Sequence, residues 1–456
     1  MASIATWLRR WLGAVRGSRR VTAGRWPPFF FYERGEGVER DLGQALAWYR
    51  KAAEAGDGAA MVSVGVCYQN GRGVERDLGQ ALAWFRKGAE AGDGSAMTCL
   101  GVCYQLGEGI ERDLAQALAW YCKGAEAGDG SAMNRLGICC ERGEGVERDV
   151  GRALAWYRKA AEAGDRRAMG NLADSYRLGK GVERDLGQAL AWYCKAAEAG
   201  DGEAMTNLGV LYQRGKGVER DLGQALIWYR KGVEAGNGRA MTNLGFCYER
   251  GDGVERDLGQ ALGWYRKGAE AGDGGAMANL GLCYQLGQGV ERNLGQALNW
   301  YREGAEAGDG GAMANLGVCY QLGQGVESDL GQALHWYRAG AQVGDGLAMA
   351  NLGVCYQLGE GVERDLSQAL SWYREGAKLG NGRAMAKLGH CYEQGVGIER
   401  DLSQALAWYR EGADAGDNIS AEGVGRLLAV YPHLDPAAGT SKSAVVTFAQ
   451  GPADLH

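Results

Sequence analysis

Apolar residues recur in this chain at helical spacing, and the resulting pattern then repeats at a longer interval. In residues 57–92, Ala60, Met61, Val64, Gly65 and Tyr68 share one broad helical face, and Leu78, Ala81, Leu82, Phe85 and Ala89 share another, with Trp84 beside it. Asp57 and Asp77 precede the two stripes, where a carboxylate accepts from the unpaired N–H groups of a first helical turn. Gly71 and Gly92 follow them, where a left-handed residue ends a helix. The pattern predicts two helices of about three turns each, joined by the loop GRGVERD with Val74 as its apolar anchor.

The longer interval is 36 residues. Tryptophan stands at Trp48, Trp84, Trp120 and on to Trp408 without a break, and methionine recurs from Met61 to Met385. Segments 273–308 and 309–344 differ at only 7 positions, so the chain is an array of one helical hairpin. Composition agrees: the five prolines of the 456 residues all lie outside 33–431, so the 78 glycines punctuate helices instead of forming a collagen-like repeat. A single hairpin has too little apolar surface to offset the entropy of ordering it, so it depends on stacked neighbours. The register continues to both ends. FFFYERGEGVERD at 29–41 is a half-unit truncated by Pro27 and Pro28, and 418–431 is a degenerate capping helix closed by Pro432. The expected organisation is a leader at 1–28, an all-α array at 29–431 (one half-unit, ten full units and a C-terminal cap), and a flexible tail at 432–456.

Copies such as AMANLGVCYQLGQGV followed by ERDLGQALAWYRKGAEAGD resemble the Sel-one-like repeat, a relative of the tetratricopeptide repeat. The period of 36 instead of 34, the GxGV loop and the terminal GD fit that branch. The resemblance implies a right-handed α-solenoid of antiparallel helix pairs that serves as an adaptor or scaffold for other proteins, without a catalytic site or cofactor. It also implies that the first helix of each hairpin lines the concave surface.

Opposite the core face of the first helix lie the registers of Ala59, Val62, Ser63, Val66, Gln69 and Asn70, which are among the most variable. The register of Ser63 reads Asn171, Asn207, Asn243, Asn279, Asn315 and Asn351, bracketed by Arg135 and Lys387. A ladder of primary amides can donate to and accept from an extended peptide backbone; each amide can equally bond a neighbouring repeat. The register of Val66 is apolar in eight of ten copies, among them Ile138, Val210, Phe246, Leu282, Val318 and Val354, and is interrupted by Asp174 and His390. Open, it is an apolar strip for a partner segment; closed, it is packing between successive first helices. The candidate protein-binding residues are these amides together with Val210, Phe246, Leu282, Val318 and Val354.

Other chemistry is sparse. Eight of twelve cysteines share the register of Cys67, and hairpins stacked about 10 Å apart cannot bridge them. The secreted, cysteine-rich branch of the family pairs cysteines at registers held here by Ala and Met. These thiols therefore read as small buried groups in a reducing, intracellular setting. No metal-ligand spacing, Walker motif or dinucleotide fingerprint occurs. The first 32 residues carry six arginines and no acid, leaving −12 on the rest, which disfavours a nucleic-acid partner. Within the leader, Ile4, Trp7, Leu8, Trp11, Leu12 and Val15 share a helical face among arginines. That composition suits a mitochondrial targeting peptide, peripheral membrane contact through residues 4–20, or an inert leader; without targeting, a cytoplasmic location is expected. An enzymatic alternative centres on Arg166, Arg167, Asp174 and Ser175, where NLGxCY becomes NLADSY.

Overall fold

The computed structural model describes Tyr32 and residues 39–434. The expected leader at 1–28 and the tail beyond 434 lie outside the described residues. The chain divides into two compact units, one ending at Trp228 and one beginning at Tyr229. Among the described residues the structure is helical with no strand, and every α-helix is 13 residues long.

The first unit holds α1 (Leu42–Glu54), α2 (Gly58–Asn70), α3 (Leu78–Glu90), α4 (Gly94–Leu106), α5 (Leu114–Glu126), α6 (Gly130–Arg142), α7 (Val150–Glu162), α8 (Arg166–Leu178), α9 (Leu186–Glu198) and α10 (Gly202–Arg214). The division falls within α11 (Leu222–Glu234). The second unit continues with α12 (Gly238–Arg250), α13 (Leu258–Glu270), α14 (Gly274–Leu286), α15 (Leu294–Glu306), α16 (Gly310–Leu322), α17 (Leu330–Gln342), α18 (Gly346–Leu358), α19 (Leu366–Lys378), α20 (Gly382–Gln394), α21 (Leu402–Asp414) and α22 (Asn418–Val430). A 3₁₀ turn, Pro432–Leu434, follows, and Leu434 packs against Leu427 and Tyr409. Even-numbered helices are the first helices of the hairpins. Within each unit a first helix packs on the helices before and after it, as α4 does on α3 and α5 and α16 on α15 and α17, and successive first helices such as α2 and α4, or α14 and α16, also touch. Both units are thus α-solenoids of 36-residue hairpins.

The helix limits follow from the capping chemistry. Asp57 accepts from the Ala60 N–H at 3.0 Å and Asp77 from the Gln80 N–H at 2.9 Å, while Gly71 ends α2 at φ +68°. At Gly317 the close helix contact leaves no room for a side chain: a Cβ there would sit 2.5 Å from Cε1 of the fully buried Tyr337.

Two devices tie one hairpin to the next. Trp84 of α3 lies against the core formed by α1 and α2, around Leu46, Met61 and Val64, and later tryptophans repeat the contact. A buried tyrosine of the second helix also starts a polar relay in several hairpins. In the first unit Tyr121 donates to Gln105 at 2.7 Å, and Gln105 donates at 2.7 Å to Glu144 in the following hairpin's loop. In the second unit Tyr337 donates to Gln321 at 2.6 Å, and Gln321 donates to Glu360 at 2.5 Å.

The capping aspartates contribute a third link that varies along the array. Thr98 donates to the cap Asp129 of the next hairpin at 2.5 Å, and Thr242 to Asp273 at 2.7 Å. The equivalent donor for Asp309 is replaced by Ala278. Burial raises the Asp309 pKa, and Asp345 and Asp273 on either side add to the rise, against the bond from Ala312 N–H that lowers it. A carboxyl whose folded pKa is raised favours folding below the carboxylate range, and that contribution is lost as pH rises through the folded pKa. Asn caps the equivalent helices at Asn237 and Asn381. Asp309→Asn is therefore expected to raise the melting temperature at pH 7, with the gain shrinking as pH falls below about 4. Thermal melts of both proteins across that range check it.

Candidate protein-binding face

The face opposite the core was read above as two ladders, and the structure adds a third. Asn171 and Asn207 in the first unit and Asn243, Asn279 and Asn315 in the second are half-buried, while Asn351 is buried. Val210, Phe246, Leu282, Val318 and Val354 are all half-buried. Val318 and Val354 lean on the core between the second helix of their own hairpin and the next first helix, so this register both packs and lines the surface. The register of Asn70, one turn further on, carries the most exposed apolar side chains of the face: Leu106 and Leu178 in the first unit, and Leu286, Leu322 and Leu358, 56–60% exposed, in the second. Sequence reasoning passed over these leucines. The available signal was a run of three leucines in a register whose helical position faces solvent.

The amides do not have equal surroundings. In the first unit the Asn171 Nδ2 donates to Asn134 Oδ1 of the preceding first helix at 2.8 Å. In the second unit the positions equivalent to Asn134 are Ala278, preceding Asn315, and Ala314, preceding Asn351. Alanine supplies no acceptor, and the buried Asn351 Nδ2 has no hydrogen-bond partner. The neighbour that engages the amide in α8 is thus missing from α14 and α16.

The divergent hairpin around α8 is internally compensated. Arg177 stands where most hairpins have Gln or Glu, and the loop position that receives this side chain's bond elsewhere is Lys216, which cannot accept. Arg177 turns instead to Asp174, whose Oδ1 accepts from its Nε at 3.0 Å and its Nη2 at 2.5 Å, and from Tyr193 at 2.7 Å. Ser175 donates to the Asn171 carbonyl at 2.8 Å, Arg166 donates to the Gly200 carbonyl at 3.1 Å, and Arg167 is exposed. These residues are not brought together on one reacting position.

The thiols of the Cys67 register are buried, and burial pushes Cys103 up to about 11 and Cys247 up to about 12. Thiols held protonated in this way are poor nucleophiles. Among the described residues no group of three or more His, Cys, Asp or Glu is placed to hold a metal ion. Among them too, no helix is long and apolar enough to cross a membrane.

These features define an α-solenoid whose variable chemistry lies on the first helices. The Sel1 repeat model matches eleven consecutive segments, beginning 30–57, 58–93 and 94–129 and ending 346–381 and 382–417, so the chain belongs to the Sel1 repeat family. Family and fold fit a protein-interaction scaffold. Among solved structures, it is similar to c5321, a protective antigen of uropathogenic Escherichia coli strains displaying an SLR fold, at 34% identity over 92% of this chain and 95% of that one, with a TM-score of 0.44. A Sel1 repeat protein from Oxalobacter formigenes is 34% identical over 54% of this chain and 96% of its own, with a TM-score of 0.45. Immunity protein Pa5087 from Pseudomonas aeruginosa is 25% identical over 47% and 81%, with a TM-score of 0.39. No curated protein matches.

The compensation in α8 predicts strong coupling. Asp174→Val, restoring the residue of Val210, leaves Arg177 and Tyr193 without their acceptor. Because the ion pair is about one-third exposed, the expected cost is about 1 kcal/mol. Adding Arg177→Gln restores the common Tyr–Gln relay and should recover most of that loss. Urea unfolding of the two singles and the double measures the coupling; additive losses would contradict it.

Proposed function

We propose that this chain is a non-enzymatic scaffold that binds a protein or peptide segment across its first helices. The carrying observation is the second unit's face, where exposed Leu286, Leu322 and Leu358 stand beside half-buried Asn279 and Asn315. Apolar anchors supply the affinity of such a surface, and amides beside them can bond a segment's main chain whatever its sequence. The divergent hairpin, the other candidate, supports no enzymatic reading, since Asp174 and Ser175 are engaged in helix-local bonds and bonds to Tyr193 and Arg177.

Selection of random displayed peptides on the full-length chain tests this reading. Enrichment of binding peptides is expected, with Asn279→Ala plus Asn315→Ala weakening a selected peptide about thirtyfold, as two hydrogen bonds of about 1 kcal/mol each would. Failure of any peptide to enrich contradicts the proposal.

A further inference from the structure

Resting on that docking role, we infer that α14, α16 and α18 receive an extended segment with an apolar side chain at every third position and acidic residues at both ends.

These three first helices present an amide, a branched aliphatic residue and a leucine in the same order. Asn279, Leu282 and Leu286 are repeated as Asn315, Val318 and Leu322, then as Asn351, Val354 and Leu358. No charged residue occupies the outward registers of any of the three. In the first unit no two adjacent first helices share this order: Asn171 is followed by Asp174, and Val210 by Arg214.

Charge returns on the helices at either side, and its accessible part is positive. On α12 the exposed Arg250 lies with its guanidinium 4.6 Å from the Phe246 ring. On α20 stand exposed Arg383 and half-buried Lys387. The carboxylates in the outward registers of these flanking helices are already engaged. Glu249 accepts from Tyr265 at 2.5 Å, and Glu393 accepts from Tyr409 at 2.8 Å and Arg426 at 2.6 Å. At the loop edge, Glu360 accepts from Gln321 at 2.5 Å. An apolar strip closed at both ends by cations is complementary to an apolar segment closed at both ends by carboxylates.

The spacing selects the backbone. Neighbouring first helices lie about 10 Å apart. A polyproline-II segment advances about 3.1 Å per residue with three residues per turn, so every third side chain falls on one side about 9 Å from the last. A β-strand repeats its side at about 6.6 Å, out of step with the leucines. A helical segment satisfies its own main chain and offers nothing to Asn279 and Asn315, whereas polyproline II leaves both N–H and C=O available. From α12 to α20 the span is about 40 Å, or about 13 residues at that rise.

The test uses the full-length chain, random sixteen-residue displayed peptides and a fluorescein-labelled copy of the strongest binder. Enriched peptides should carry Leu, Ile, Val or Met at i, i+3 and i+6, with Asp or Glu towards both ends. Leu322→Glu should weaken binding at least tenfold and Leu322→Met leave it within twofold, while Leu106→Glu in the first unit changes nothing. Arg250→Glu and Lys387→Glu should each weaken it several-fold, as should raising the salt to 1 M. Unchanged circular dichroism melts show that the exposed substitutions leave folding intact. Peptides that enrich but bind Leu322→Glu as tightly as the parent, or that lack acidic ends, overturn this inference while the scaffold reading stands. No enrichment at all removes both.

Discussion

The contact between one hairpin and the next governs the structure. A 13-residue helix cannot bury its stripe alone, and the hairpin's tryptophan reaches back onto its predecessor's core. Beside that apolar contact, the relay from Tyr337 through Gln321 to Glu360 crosses the same junction with its buried polar groups satisfied. The tryptophan register is invariant along the array, whereas the loop position that ends the relay varies, from Glu144 to Lys216 and Val396. The outward registers of the first helices are more diverse, and some of their side chains, such as Thr98 and Asn171, also bond a neighbouring hairpin.

That diversity gives the two units different surfaces on one scaffold. In the first, the outward face is broken by charge and partly self-satisfied: Asn171 bonds Asn134, and Asp174 is held by Arg177 and Tyr193. In the second, Ala278 and Ala314 leave the neighbouring amides without that contact, and three leucines stand exposed between basic helices. The same alanine that opens the face, Ala278, removes the donor that would reach the next cap, Asp309, whose pKa is raised by burial and by Asp345 and Asp273 on either side.

Most of the fold was legible in the sequence because the period is strict: Asp57, Gly71 and Asp77 mark helix ends by local chemistry alone, and the caps form where they stand. The family was legible for the same reason. The site was less so. The role of Asn171 depends on Asn134, 37 residues away, and their pairing follows from the stacking geometry. The pairing of Arg177 with Asp174 likewise makes sense only beside Lys216 in the next loop. The leucines at 286, 322 and 358 were in plain view but sit at the helix C-terminus, where variation with Arg, Asn and Gln in other copies reads as an unremarkable edge. The division at Trp228 leaves no mark, since the repeat runs through it unchanged.

The most direct test of the dependence on stacking is a length series cut from the second unit, with residues 274–309, 274–345, 274–381 and 274–417 compared by circular dichroism and urea unfolding. The single hairpin should show no cooperative transition, and each added hairpin should raise the unfolding midpoint, steeply at first and then less. Cooperative unfolding of residues 274–309 at the midpoint of the longest fragment would contradict the account.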